Sequence, residues 1–156
     1  MMPSLTKWSL GIASETGQPI IIFPQGTEVP ARRHFVVTTL IDEQTNICLD
    51  IRLGESEMAC ENFALSNLKL DYIDIVPKGV PRVKLTFCAY EHSVFKLWVC
   101  YKEGEEEREI LITPTAGLTE KEIGDLQSAV NRLIKEIDPQ QIEDLDLGTI
   151  ALPPAI

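Results

Sequence analysis

The side chains able to carry acid–base, nucleophilic or metal chemistry are few in this 156-residue chain, and they do not converge. There are two histidines. His34 borders a predicted strand and His92 sits in a turn between strands, so both read as surface residues and not as a base or ligand. Four cysteines are present, Cys48, Cys60, Cys88 and Cys100, with no C-x-x-C pair, so a thiolate zinc site is not expected. Cys48, Cys88 and Cys100 fall inside predicted strands, where a small apolar side chain packs well, and read as reduced and structural. The run from Glu103 to Glu109 is rich in carboxylates. Calcium would need alternating ligands and a Gly at the bend, so the run reads as a solvated loop. No glycine-rich phosphate loop, G-x-S-x-G or H-E-x-x-H occurs. No catalytic or metal-binding residue is assigned, and no cofactor is expected in this chain.

The remaining chemistry is that of surfaces. A formal net charge of −10 argues against nucleic acid, whose phosphates need clustered Lys and Arg. It is compatible with a basic partner, although a solvated acidic surface is the commoner reason for such a charge. The length fits one domain with a real core. The longest apolar run is too short to span a bilayer, and the first residues lack a signal-peptide core, so a cytoplasmic location is the expectation.

Two stretches organise the positioning elements. Phe35–Ile41 is entirely β-branched, aromatic or aliphatic. In Ile47–Leu53, Ile47, Leu49, Ile51 and Leu53 alternate with Cys48, Asp50 and Arg52. Around the polar loop 42–46 they read as a β-hairpin with one face in the core. Further strands are predicted at Ser9–Ser14, Ile20–Phe23, Leu68–Tyr72, Val83–Phe87, Phe95–Tyr101 and Arg108–Thr113, with 56–66 as a connecting segment. Gly17 is expected at positive φ in the first turn. Eight short strands at regular spacing indicate an antiparallel β-sandwich. At Thr119 the pattern changes. Thr119 and Glu122 form a capping box, and Ile123, Leu126, Val130, Leu133, Ile134 and Ile137 fall on one helical face. That helix should stop at Asp138, before Pro139. The domains so drawn are a sandwich over 9–116, a helix over 118–138 and a tail over 139–156.

Several motifs occur in one order: Ser9-Leu10-Gly11-Ile12, Val29-Pro30, Gly54-Glu55, Pro77-Lys78-Gly79-Val80-Pro81 before Val83-x-Leu85-Thr86-Phe87, and Gly117-Leu118-Thr119 with Glu122-Ile123. Together they resemble the C-terminal substrate-binding domain of the 70 kDa heat shock chaperones, the DnaK family, from about Ser9 to Ile137. The resemblance implies an eight-strand β-sandwich followed by lid helices, and a groove that holds an extended peptide. Main-chain bonds would give affinity and a side-chain pocket preference. It further implies that Ile12, Val37, Ile47 and Leu49 line the pocket, with Ile47 at its floor. Ser14 and Thr38 would offer backbone contacts, and Glu15 and Leu40 would form an arch over the bound chain. Relatives usually carry an apolar residue at the position of Glu15, so the resemblance implies either weaker apolar closure of the arch or a preference for basic peptides. The turn Tyr90-Glu91-His92-Ser93-Val94-Phe95 departs from the family's pattern, and the acidic, leucine-rich linker of relatives is not visible in residues 1–8.

The reading that results is a non-enzymatic peptide-binding module for extended apolar segments of unfolded polypeptides. ATP is expected only for an ATPase domain outside this chain, and an ATPase domain or co-chaperones are the implied partners. A lid truncated after one helix should let peptide exchange quickly. The alternative is a scaffold or assembly domain whose groove is filled by its own or a neighbour's C-terminal tail, with Thr149–Pro154 as occupant and Leu152 as anchor. Exposed strand edges would also favour self-association.

Overall fold

Strands that alternate apolar and polar residues must bury one face, and two sheets bury those faces against each other. The computed structural model describes residues 5–71, 73–90, 94–101, 108–112, 120, 121, 124, 125, 128, 132 and 144–154. Nine strands are found among them: β1 (Leu10–Ala13), β2 (Pro19–Phe23), β3 (Ala31–Thr39), β4 (Ile47–Leu53), β5 (Phe63–Leu70), β6 (Val83–Tyr90), β7 (Val94–Cys100), β8 (Arg108–Ile112) and β9 (Asp144–Leu152). One sheet has the order β2-β1-β4-β5 and the other β8-β7-β6-β3-β9. All pairings are antiparallel except that of β3 with β9, which is parallel.

The expected sandwich is therefore present, with one strand more than the eight predicted. The inward residues are those the alternation selects. β4 buries Ile47, Leu49, Ile51 and Leu53, and β7 buries Phe95, Leu97 and Val99. Phe23 of one sheet stacks on Phe95 of the other at 6.0 Å, and Phe35 stacks on Phe87 at 5.8 Å. Such offset aromatic pairs add to what their burial alone contributes. Gly17 has φ 85°, as its turn requires.

Two expectations are corrected. β3 and β4 do not form a hairpin: they lie in different sheets, and residues 40–46 cross between them. Alternation fixes which face of a strand is buried but not which strand lies beside it. Second, the segment 56–66 is not only a connection, because β5 begins at Phe63. A bulge opposite Ile51 and Arg52 breaks its period, and as an edge strand it leaves Phe63 exposed.

The separated motifs meet in space. The Ser9 N–H and hydroxyl both donate to the Glu55 carboxylate, and the Gly54 N–H donates to the Ser9 carbonyl at 3.0 Å. Gly54 has φ 149°, and a Cβ there would overlap the Asn62 side chain. This cluster ties the start of β1 to the end of β4. The helix expected over 118–138 lies mostly outside the described residues. The positions described within it (120, 121, 124, 125, 128 and 132) are helical and exposed. Glu91–Ser93, which include His92, and Lys102–Glu107 also lie outside. Among the described residues no helix is long and apolar enough to cross a membrane.

Candidate functional site

Because β3 and β4 diverge into separate sheets, the crossing loop between them needs its own support. Gln44, 3% exposed, provides it. Its Oε1 accepts from the N–H groups of Leu40 (3.0 Å) and Ile41 (3.3 Å), and its Nε2 donates to the Asn46 carbonyl at 2.7 Å. The long β5–β6 connection braces the same loop from outside. The Lys78 N–H donates to Asp42 Oδ1 at 2.9 Å, and the Gly79 N–H reaches both the carbonyl and the hydroxyl of Thr39. The Glu43 N–H donates to the Val76 carbonyl at 3.0 Å, and the Thr38 hydroxyl donates to the Pro81 carbonyl. The Pro77-Lys78-Gly79-Val80-Pro81 motif thus fixes the loop that joins the two sheets.

Two open backbone edges result. β3 uses one edge for β6 and leaves the other free of the sandwich strands. β4 pairs with β1 only through Ile51, Arg52 and Leu53, so Ile47–Asp50 extend beyond that partner. An unpaired edge is a template for another extended chain. Here that chain is β9, which runs along β3 with Val36 opposite Thr149, Val37 opposite Ile150, Thr38 opposite Ala151 and Thr39 opposite Leu152. It then crosses towards β4, where the Cys48 N–H donates to the Pro153 carbonyl at 3.0 Å. The free Nε2 hydrogen of Gln44 meets the Leu152 carbonyl at 3.0 Å. The segment therefore makes main-chain bonds to both sheets and one to the buried amide of the crossing loop.

The side chains follow the backbone. Leu152 is wholly buried and is part of the main apolar core cluster, to which Ile12, Val37, Ile47 and Leu49, each 0–1% exposed, also belong. Leu147 and Ile150 pack against that cluster while half-buried. The other six residues of β9 are exposed. Full burial of a Leu side chain contributes ~1.5–3 kcal/mol. Leu152 is thus the most fully buried single residue of the segment.

The sequence-derived residues fall as follows. Ile12, Val37, Ile47 and Leu49 all belong to the buried apolar core that the two sheets share. Thr38 is on the β3 edge, opposite Ala151. Leu40 is half-buried where the crossing loop begins, and Glu15 is exposed in the β1–β2 turn. The Ser14 main chain is engaged within that turn: its N–H donates to the Gln18 carbonyl and its carbonyl accepts from Gly17, both at 3.0 Å. Sequence reasoning missed Gln44 and the Cys48 N–H. A polar residue in a polar loop carries no signal of its own, and Cys48 contributes a main-chain group. His34 lies within β3 and not at its border, with Nδ1 2.7 Å from Asp144 Oδ1. None of the four cysteines is in a disulfide; Cys88 is buried and Cys60 exposed. Burial raises the Cys48 and Cys88 thiol pKa values; beside Cys48, Asp50 adds to the effect. Among the described residues no group of three or more His, Cys, Asp or Glu side chains could hold a metal ion.

Comparison with known proteins agrees with this architecture. The family model described as Hsp70 protein matches residues 2–147. A chaperone protein DnaK of Cyanidioschyzon merolae is 29% identical over 136 residues, covering 87% of this chain and 21% of the relative. One of Prochlorococcus marinus is 28% identical over 153 residues, covering 94% and 23%. The chain thus spans between a fifth and a quarter of the length of these relatives. With a match over nearly its whole length, it belongs to the Hsp70 protein family.

Proposed function

We propose that this chain captures extended apolar segments of unfolded polypeptides in the groove between the β3 edge and the start of β4. The observation that supports this most is the seating of Leu147–Pro153. An extended segment can add to β3, bond to Gln44 and Cys48, and bury one aliphatic anchor in the Ile12, Val37, Ile47 and Leu49 cluster. Main-chain bonds hold any sequence that can extend, and the anchor site confers preference. Nothing in this mode needs a cofactor or a catalytic side chain. In the proposed setting, a cytoplasmic chaperone, ATP would act through an ATPase domain outside the residues considered, with co-chaperones as further partners. A helix over 118–138 would serve as the first part of a lid.

A second reading is favoured by the complete burial of Leu152: a scaffold in which the tail seals the groove permanently. The two readings part in fluorescence-anisotropy titrations of excess chain into a labelled heptapeptide with a central Leu flanked by basic residues. Ile47→Phe fills the space an anchor needs. Peptide capture predicts binding by the wild type and its loss in Ile47→Phe, with circular dichroism unchanged. Equal binding by both proteins would show that the peptide attaches elsewhere.

A further inference from the structure

The chemistry of the far end of β9 goes beyond apolar capture. After Ala31, β3 continues with Arg32, Arg33 and His34. Arg33 turns inward over the Phe23 ring, 5.4 Å from its centroid. Arg32 and His34, two apart in a strand, share the opposite face. Directly beside them in the parallel register lie Asp144, opposite Arg32, and Asp146, opposite His34. The His34 ring stands between the two carboxylates, with Nδ1 2.7 Å from Asp144 and Nε2 3.8 Å from Asp146. Asp146 also accepts the Gly148 N–H at 2.8 Å, where Gly148 at φ 84° marks a register shift in β9. That shift sets the spacing between the charged end of the segment and its apolar anchor. The segment is thus gripped at two places, about 25 Å apart in extended chain, by unlike chemistry. One grip is polar, the His34 ring beside Asp144 and Asp146 with Arg32 opposite Asp144 in the register, for residues eight and six before the anchor; the other is the apolar pocket.

We infer that Asp144–Pro153 is a displaceable ligand of its own groove, and that the groove selects outside segments with the same pattern: carboxylates eight and six residues before a Leu anchor. This rests on the groove reading above and names the ligand class and its competitor. Displacement requires a competitor that remakes the β3 pairing and the Gln44 and Cys48 bonds, but with six of the nine β9 residues exposed it has to bury few side chains. Pro153 and Pro154 lack N–H groups, and the two bonds made at this end are accepted by carbonyls of the ligand. Proline after the anchor therefore forfeits neither of these bonds.

The test uses the full chain, as wild type and as Leu152→Asp, with two labelled peptides, DLDLGTIALPP and NLNLGTIALPP, followed by anisotropy. Losing the buried Leu should weaken the tail, so Leu152→Asp should bind DLDLGTIALPP roughly tenfold to a hundredfold more tightly than the wild type does. The Asn peptide should bind about threefold to tenfold less tightly at low salt, and the difference should shrink near ~0.5 M salt. Equal affinity of the two proteins would overturn the tail as competitor while leaving the groove reading intact. Equal affinity of the two peptides would overturn the acidic preference. Binding by neither protein would sink the groove reading itself. A measurement free of any variant covers misfolding of Leu152→Asp: in the wild type, excess peptide should speed amide exchange at Thr149–Leu152 and leave β6 and β7 unchanged. Unchanged exchange at Thr149–Leu152 under saturating peptide would contradict displacement.

Discussion

Gln44→Glu separates the two tasks of the crossing loop. The carboxylate keeps the acceptor that Leu40 and Ile41 use, at 3.0 and 3.3 Å, and loses the donor that meets the Asn46 and Leu152 carbonyls, at 2.7 and 3.0 Å. Each neutral bond contributes about 0.5–1.5 kcal/mol, and a bond to a charged acceptor about 1.5–3. Within the loop, the stronger bonds to Leu40 and Ile41 then offset much of the loss at Asn46, apart from the cost of holding a charge at a buried site. At the ligand nothing offsets the loss, and an anionic oxygen would face the carbonyl at the anchor position. Because the tail makes the same bond through the Leu152 carbonyl, the comparison belongs in the Leu152→Asp background, where Gln44→Glu should weaken peptide binding by about tenfold or more. Gln44→Ala should instead lower stability by about 2–4 kcal/mol, because two N–H groups and two carbonyls lose their bonds to this side chain together. For a chain of this size that is a fall of roughly 4–16 °C in Tm. The assays are peptide anisotropy and thermal unfolding by circular dichroism, run on both variants. If Gln44→Glu leaves peptide binding unchanged in the Leu152→Asp background, the buried amide does not read the bound chain. If Gln44→Ala melts with the wild type, the loop does not depend on it.

Other consequences follow from single positions. Gly54→Ala places a Cβ against Asn62 at φ 149°; strain and overpacking together should cost about 2–4 kcal/mol, visible as a lowered urea midpoint with an unchanged slope. The exposed Cys60 should react with a thiol reagent well before Cys48 and Cys88, whose thiols burial holds neutral to higher pH. Because those two keep their protons when folded after the unfolded chain has lost them, stability should decline as pH rises above the ordinary thiol range, and Cys88→Ala should flatten that decline. Simultaneous reaction of all four thiols in the native state would refute this.

What the sequence could and could not disclose has physical reasons. The inward residues of β4, β6 and β7 were legible because period-2 burial is written in consecutive positions, and motif order carried the sandwich. The partner of β3 was not legible: Phe35–Ile41 has no clean apolar–polar alternation, so nothing in it distinguishes a hairpin from a crossing. β5 was half hidden by the bulge opposite Ile51 and Arg52. β9 contains Asp144, Asp146 and Gly148, poor strand formers that extend only because the β3 edge offers a partner. The anchor role of Leu152 was nonetheless visible as an alternative, because an apolar, proline-limited segment can do little except extend. Gln44 was invisible because its importance lies in four contacts, made at positions 40, 41, 46 and 152.

The central claim is that an outside segment seats its anchor where Leu152 sits. It is tested most directly by photo-crosslinking the full chain with excess heptapeptide carrying a photoreactive leucine at its centre, then mapping adducts by mass spectrometry. The account predicts adducts within Gly11–Ala13, Val36–Leu40 and Ile47–Leu49, with Leu152 losing protection as they form. Adducts concentrated instead on the exposed apolar residues Trp8, Met58 or Phe63 would contradict it.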